Sequence, residues 1–316
     1  MGLALSTSWF PQPGAGVLET IRVAREFGFR DFEIGVTEEP FPLDEVASLV
    51  RGGEIRVVSV HNVCARTRLR GKNARGDFLA HPSPSKRRDT VKATLETIDA
   101  ARTLGAPVVV AHLGEARIRA AARRQSRLAR FYAEFGPTRD LTDEVQRLMR
   151  KRRDPVLRAM DALRQSLREI FDAAPDASLG VENRYYFHQI PLPDELEALF
   201  RDFPSPRLVY WHDVGHAHAL DALGIVPHAT WFDRFGARLA GLHLHDVIQL
   251  TDHLPPGAGH FDFASIRDRI PAGAVRVLEL HDGYPGAQLA AARRFLERHL
   301  SPATDPPPPR TCEGPA

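Results

Sequence analysis

PVVVAH, residues 107–112, decides the fold. After the proline, four apolar residues run on to a histidine with no polar residue between them, so a strand here is buried on both faces, as in a parallel sheet. VVSVH, residues 57–61, has the same character. Comparable short runs recur along the chain: Leu3 to Ser6, Asp31 to Val36, Arg56 to His61, Pro107 to His112, Ser178 to Glu182, Arg207 to Asp213, Ala240 to His245 and Val275 to Leu280. Amphipathic stretches such as VLETIRVAREFG (17–28) and VKATLETIDAARTLG (91–105) separate them. Both end at a glycine, where a helix C-cap belongs. Eight strand–helix units in about 300 residues predict an α/β fold: one (β/α)8 TIM barrel over residues 1–300. A doubly wound open sheet suits eight similar units less well.

One connection is too long. About seventy residues separate the fourth and fifth runs, against about thirty in neighbouring units, which predicts a helical insertion over 115–158. From Arg117 to Arg153 it carries 12 basic and 4 acidic side chains. Loops after barrel strands lie on the catalytic face, so the insert is either a basic lid over an anionic substrate or a solvated helical addition. The tail 301–316, with four consecutive prolines at 306–309, reads as disordered.

Composition narrows the class. Of the 316 residues 43% are hydrophobic and 26% charged, which excludes a disordered, collagen-like or coiled-coil chain. The 42 basic and 40 acidic residues leave a net charge of +2, so whole-molecule charge does not point to nucleic acid. Two cysteines, Cys64 and Cys312, make no disulfide framework and suggest a reducing cytoplasm. No run approaches the ~20 apolar residues of a membrane span, and MGLALSTSWF reads as a buried first strand rather than a secretion signal.

The informative residues stand at strand ends. His61 closes the third run, His112 the fourth, Glu182 the fifth, and Asp213 with His216 the sixth; His243 lies on the seventh and Glu279 on the eighth. In a barrel these ends converge on one mouth. Burying several carboxylates and imidazoles together is costly unless they are paired or hold a metal. Imidazole plus carboxylate without thiolate suits Zn2+ or Mn2+, with Fe2+ and Co2+ as further candidates, and argues against Ca2+. Cys64 reads as packing.

With GLHLHDV (241–247), DHLPPGAGHFDF (252–263) and DVGH (213–216), the chain resembles the xylose-isomerase-like barrel superfamily over roughly residues 1–300. That superfamily holds sugar and sugar-phosphate isomerases and epimerases together with endonuclease IV, the family 2 AP endonucleases. The resemblance implies that Glu182, Asp213, His243 and Glu279 ligate the metal. It also implies that Glu182 and Glu279 are catalytic, one removing a proton beside a carbonyl and the other returning it while the metal stabilises the enediolate. His216, Arg184 and His253 fall where substrate is bound. In the endonuclease pattern His61, His112, His216 and His253, with Asp252, are additional ligands of a cluster of up to three ions. The Asp252–His253 spacing is one residue shorter than in that pattern, and Ala258 replaces a usual glutamate.

The reading taken is a metal-dependent isomerase or epimerase acting on a sugar, sugar phosphate or related polyol. The alternative is a metal-cluster hydrolase, either a phosphodiesterase like endonuclease IV or an amidohydrolase of the corrinoid-salvage type. The expected partner is a small polyhydroxylated or anionic molecule. No organic cofactor or membrane is expected, nucleic acid enters only through the alternative, and a homo-oligomer is compatible with either reading. Asn183 is expected to orient a ligand, and His245 and Asp246 to support His243. His212, His218 and His228 are assigned to the rim or to structure, and Asp262 to a helix N-cap.

Overall fold

The computed structural model describes residues 2–37, 40–64, 78–204, 207–281 and 283–301. In chain order its elements begin with β1 (Leu3–Ser6), α1 (Val17–Glu26), β2 (Asp31–Ile34), α2 (Leu43–Arg51), β3 (Arg56–His61), α3 (Pro84–Leu104), β4 (Val109–Ala111) and β5 (Gly114–Glu115). The insertion and the units after it hold α4 (Ala121–Phe135), α5 (Arg139–Ala173), β6 (Leu179–Glu182), β7 (Gln189–Ile190), α6 (Pro193–Asp202) and β8 (Leu208–Asp213). The last third contains α7 (Val214–Ala222), α8 (His228–Phe235), β9 (Leu239–Leu244), β10 (Asp246–Ile248), β11 (Thr251–Leu254), α9 (Ala264–Arg267), β12 (Val275–Leu278) and α10 (Gly286–His299).

Eight strands close a parallel barrel in the order β1-β12-β9-β8-β6-β4-β3-β2. The strand runs read from the sequence are these eight strands, with ends shifted by two residues at most. Two short antiparallel ribbons, β5–β7 and β10–β11, rise from the mouth. No helix of the described residues is long and apolar enough to cross a membrane. From residue 302 on, the Pro-rich tail lies outside the described residues.

Two apolar layers hold the barrel. Inside it, Ala4, Val58, Val108, Val110, Val275 and Val277 pack around Trp211. Gly241 makes room for that ring: a β-carbon there would stand 2.4 Å from the indole. Outside, the helices cover the strands with one continuous cluster that includes Leu5, Phe32, Leu163, Leu179 and Leu242. At the opposite end from the mouth, Arg56 grips Asp31 through two hydrogen bonds, 2.9 and 2.6 Å, joining β3 to β2.

The segment 115–158 holds β5, α4 and the first half of α5. The second inserted helix is not a separate piece: α5 runs 35 residues without a break, through Pro155, and becomes the barrel's own helix. Its two halves pack differently. Leu141, Val145 and Leu148 join Leu128 of α4, Phe187 and Leu223 in a separate small cluster at the mouth. Beyond Pro155, Met160, Leu163, Leu167 and Ile170 belong to the main core. The insert is thus anchored to the barrel covalently by one rigid helix and laterally by its own apolar patch.

Candidate functional site

Parallel register brings the polar strand ends together. Asp213 on β8 stands opposite His243 on β9, and His243 is paired in turn with Val277, two residues before Glu279. Glu182, Asp213, His243 and Glu279 are all buried. Their ligand atoms lie within 4.8 Å of one another. His243 Nδ1 is 2.8 Å from Glu182 Oε1, 3.0 Å from Glu279 Oε2 and 3.7 Å from Asp213 Oδ2.

Glu33 is the residue that sequence reasoning missed. It is fully buried on β2, accepts a hydrogen bond from Ser59 Oγ at 2.8 Å, and stands 3.1 Å from His243 Nε2. The signal was there, a lone glutamate in the apolar run DFEIGV, but it sits before the strand's end rather than closing it. Strand alternation turns it into the barrel, between Phe32 and Ile34, which pack outward against the helices. With Nε2–H donated to Glu33, Nδ1 is the nitrogen that faces the other three carboxylates, protonated in the ligand-free protein and available to a cation that displaces that proton. A carboxylate behind a histidine is how metal-ligating imidazoles are oriented and made more basic.

The same hydrogen-bond logic sorts the remaining histidines. His61 donates Nδ1–H to the Asn62 carbonyl at 3.0 Å, leaving Nε2 directed at Glu182 Oε2, 3.7 Å away. His112 Nε2 approaches that oxygen at 2.7 Å. His216 donates Nδ1–H to the Asn183 carbonyl at 3.0 Å and leaves Nε2 facing Asp252 at 3.8 Å. His245 is spent on both nitrogens: Nδ1 accepts the backbone N–H of His253 at 2.9 Å, so Nε2–H donates to Asp213 at 3.1 Å. Gly215 permits this, since a β-carbon there would meet the His245 ring at 2.2 Å. The expectation that His245 and Asp246 support His243 is therefore corrected. His245 supports Asp213, and Asp246 accepts the backbone N–H groups of Val247, Gly257 and Phe261, shaping the loop instead.

Five sets of ligand atoms result among the described residues. They include His61, His112 and Glu182; Glu182, Asp213, His243 and Glu279; and His216, Asp252 and His253, while the other two join His253 to Asp213 and His245 and to Glu279 and His281. Glu182 belongs to the first two. His253 sits at φ 58, a backbone conformation unusual for a side chain of this size, and its position is pinned by the His245 contact. His281, not singled out from sequence, stacks on His253 with ring centroids 3.5 Å apart and reaches within 3.6 Å of Glu279.

Charge at this mouth is one-sided. Four buried carboxylates, Glu33, Glu182, Asp213 and Glu279, face one buried guanidinium, Arg184, which donates to Glu182 Oε2 at 2.7 Å. Burial by itself would raise the Glu182 pKa, but His112 and Arg184 hold it well below the usual carboxylate range. Burial likewise opposes ionisation of Glu279, and His243, His253 and His281 outweigh it. Burial disfavours a charged His243, yet Glu279, Glu33 and Glu182 drive its pKa well up. For His253 burial is overcome by Asp252 and Glu279, which push the value up to about 10. For His216 burial wins, and its pKa falls to about 4, leaving a neutral imidazole. Carboxylates that hold neighbouring histidines protonated can bind a divalent cation in exchange for those protons, and the donors, imidazole and carboxylate without sulfur, fit one. Cys64 is buried in the main core, away from the donors.

Other expected roles divide. Asn183 holds the backbone of Asp213 from both sides, accepting its N–H at 2.8 Å and donating to its carbonyl at 2.9 Å. Arg184 pairs with Glu182 through Nη1 and also lines the cavity. His188 pairs with Glu115 at 3.4 Å and stacks on Tyr186. His212 and His228 contact each other at 2.9 Å behind the site, and His218 bonds the Gln249 carbonyl. Asp262 is not the N-cap expected of it: Phe263 holds that position, and Asp262, one residue earlier, accepts the N–H of Ala264 in the turn that leads into α9. A cavity of about 400 Å3, within the usual range for small-ligand sites, opens over His216, Asp252, His253 and His281 and is roofed by α4.

The sequence profile of the xylose isomerase-like TIM barrels matches residues 21–299. No curated protein matches the chain. Among solved structures, a D-tagatose 3-epimerase-like protein superposes with a TM-score of 0.63 at 18% identity, covering 95% of this chain and 97% of that one. The IolI protein, solved with a bound zinc atom, gives 0.64 at 12% identity, with 95% and 98% covered. A family 2 AP endonuclease from Brucella melitensis gives 0.57 at 15% identity, with 94% and 97% covered. At these identities the likeness shows the fold.

Proposed function

Because the chain belongs to the xylose isomerase-like TIM barrels, we propose that it is a metal-dependent isomerase or epimerase of a sugar, sugar phosphate or related polyol. The observation that carries this reading is the approach of Glu182 and Glu279, from β6 and β12, to the same nitrogen of His243, at 2.8 and 3.0 Å. Glu182, Asp213, His243 and Glu279 would hold the ion, with Glu33 fixing the tautomer of His243. A divalent cation, Zn2+ or Mn2+ foremost and Fe2+ or Co2+ next, supplies Lewis acidity towards a substrate carbonyl. The two glutamates supply the proton chemistry. Both are ionised in the ligand-free protein, so either can take the proton from the carbon beside the carbonyl. The proton returned to the neighbouring carbon or to the opposite face would come from the other glutamate, once it has gained one from an adjacent protonated histidine such as His253. Arg184 and His112 hold Glu182 ionised, and His216, Arg184 and His253 line the space a polyhydroxylated substrate would occupy.

A second reading, a metal-cluster hydrolase of phosphodiesters or amides, is favoured by one observation: the flanking sets His61, His112, Glu182 and His216, Asp252, His253 abut the central one. Two or three ions side by side suit activation of water against a phosphoryl or acyl centre.

Elemental analysis separates the two. Protein purified without chelator or added metal is compared with the His61→Ala, His112→Ala double variant. About one ion per chain, unchanged in the variant, together with metal-dependent exchange of the proton beside a sugar carbonyl, is the expected result. Two or three ions, falling when the histidines are removed, would replace the isomerase by the hydrolase.

A further inference from the structure

The inserted helix α4 faces the cavity with Ala122, Gln125, Ser126 and Ala129, one stripe at helical spacing. Its arginines Arg123, Arg127 and Arg130 stand exposed, and none of them lines the cavity. Within the stripe Gln125 is anomalous. It is 3% exposed, and neither its amide oxygen nor its amide nitrogen has a hydrogen-bond partner. A buried amide with both ends unsatisfied is destabilising, and nothing in the described protein offsets it. An apolar residue would serve better if the helix were only packing there, as Leu128 does on the adjoining face.

The wall around Gln125 is neutral. Tyr185 donates its hydroxyl to the Leu250 carbonyl, and Gln189 accepts the N–H of Tyr186 at 3.0 Å. Tyr186 is 41% exposed and lines the cavity. Arg184, the guanidinium in the lining among the described residues, is already paired with Glu182. This end of the cavity therefore offers amide, hydroxyl and ring surface, whereas the other end offers metal-ligand donors.

We propose that Gln125 binds the uncharged, hydroxyl-bearing end of the substrate, so that the inserted helix selects an unphosphorylated polyol. The proposal rests on the isomerase reading and names the substrate class within it. A side-chain amide both donates and accepts, which matches a hydroxyl pair in a way that a phosphate, needing donors alone, does not. Its cost in the ligand-free protein would be returned when the substrate's hydroxyls reach it.

The test uses the full-length, metal-loaded protein and the near-isosteric variant Gln125→Met. Without sugar, the variant is expected to melt about 2 °C higher than the parent, because an unsatisfied amide has been replaced by an apolar chain of similar shape. Deuterium exchange beside the carbonyl is then followed with a panel of free ketohexoses and their 6-phosphates. The parent is expected to turn over a free ketohexose with the lower KM, and the variant to raise that KM about tenfold with kcat within about twofold, as loss of a ground-state hydrogen bond does. A variant that melts lower or does not fold overturns the proposal, as does an unchanged KM or a parent that prefers the phosphates. If no ketohexose is exchanged at all, the isomerase reading fails. The melting comparison then decides for Gln125 alone: higher marks a binding residue, lower a structural one.

Discussion

At the mouth of the barrel Glu33, Glu182, Asp213 and Glu279 are buried and shared among His243, His61, His112 and Arg184, whereas on α4 Arg123, Arg127 and Arg130 stand in water and small neutral residues turn inward. The two regions are neighbours in space and both are rich in charge. The mouth carries charge in a low-dielectric setting, where each group must be balanced by another or by a cation. The insert carries it on a solvated surface, where it is cheap and screened. Charge counted along the chain describes the first region well and the second badly, because only direction distinguishes a basic lid from a basic outer face.

Breaking the mouth should have the largest effect. Glu182→Gln is expected to lower turnover by roughly 10²–10⁴-fold and to reduce bound metal, with circular dichroism unchanged. Near wild-type turnover by the purified variant would remove Glu182 from the site. Next comes the anchor of the insert. Leu148→Ala, in the small cluster that ties α5 to α4, should cost about 2–5 kcal/mol in denaturant unfolding and raise KM by loosening the cavity roof. A KM unchanged in the still-folded variant would show that α4 plays no part in binding.

Glu33→Gln sharpens the comparison from inside the barrel. Metal affinity, measured by competition with a chelator, should fall about 10–100-fold, the usual effect of removing a carboxylate behind a ligating histidine. An affinity equal to wild type would make Glu33 a structural partner of Ser59. The smallest effect is expected on the outer face of α4. The triple variant Arg123→Gln, Arg127→Gln, Arg130→Gln should shift stability by no more than about 0.5 kcal/mol per site and leave turnover within about twofold. A tenfold rise in KM would restore the basic-lid reading.

Much of the barrel was legible because buried parallel strands write continuous apolar runs, and Pro107 to His112 or Arg56 to His61 admit little else. The candidate donors were legible for a related reason: a histidine, aspartate or glutamate that ends such a run has one place to point. Glu33 escaped because it sits inside its strand rather than at the end, and its partners, Ser59 and His243, come from other strands. His245 escaped because its role rests on a contact with the backbone of His253, eight residues on, made possible by the missing side chain of Gly215. A proline inside a helix usually ends or kinks it, yet α5 continues through Pro155, packed on both sides of it.

Periodicity and residue type were enough to establish the strands, their parallel closure and the chemistry of the donors, since these are local consequences of side-chain polarity and spacing. Tertiary packing alone decided which nitrogen of each site histidine faces the carboxylates, which carboxylate stands behind His243, and which face of α4 looks into the cavity. Those are relations between atoms far apart in the chain, set by strand register and helix rotation, and a turn of about 100° would exchange Gln125 for Arg124.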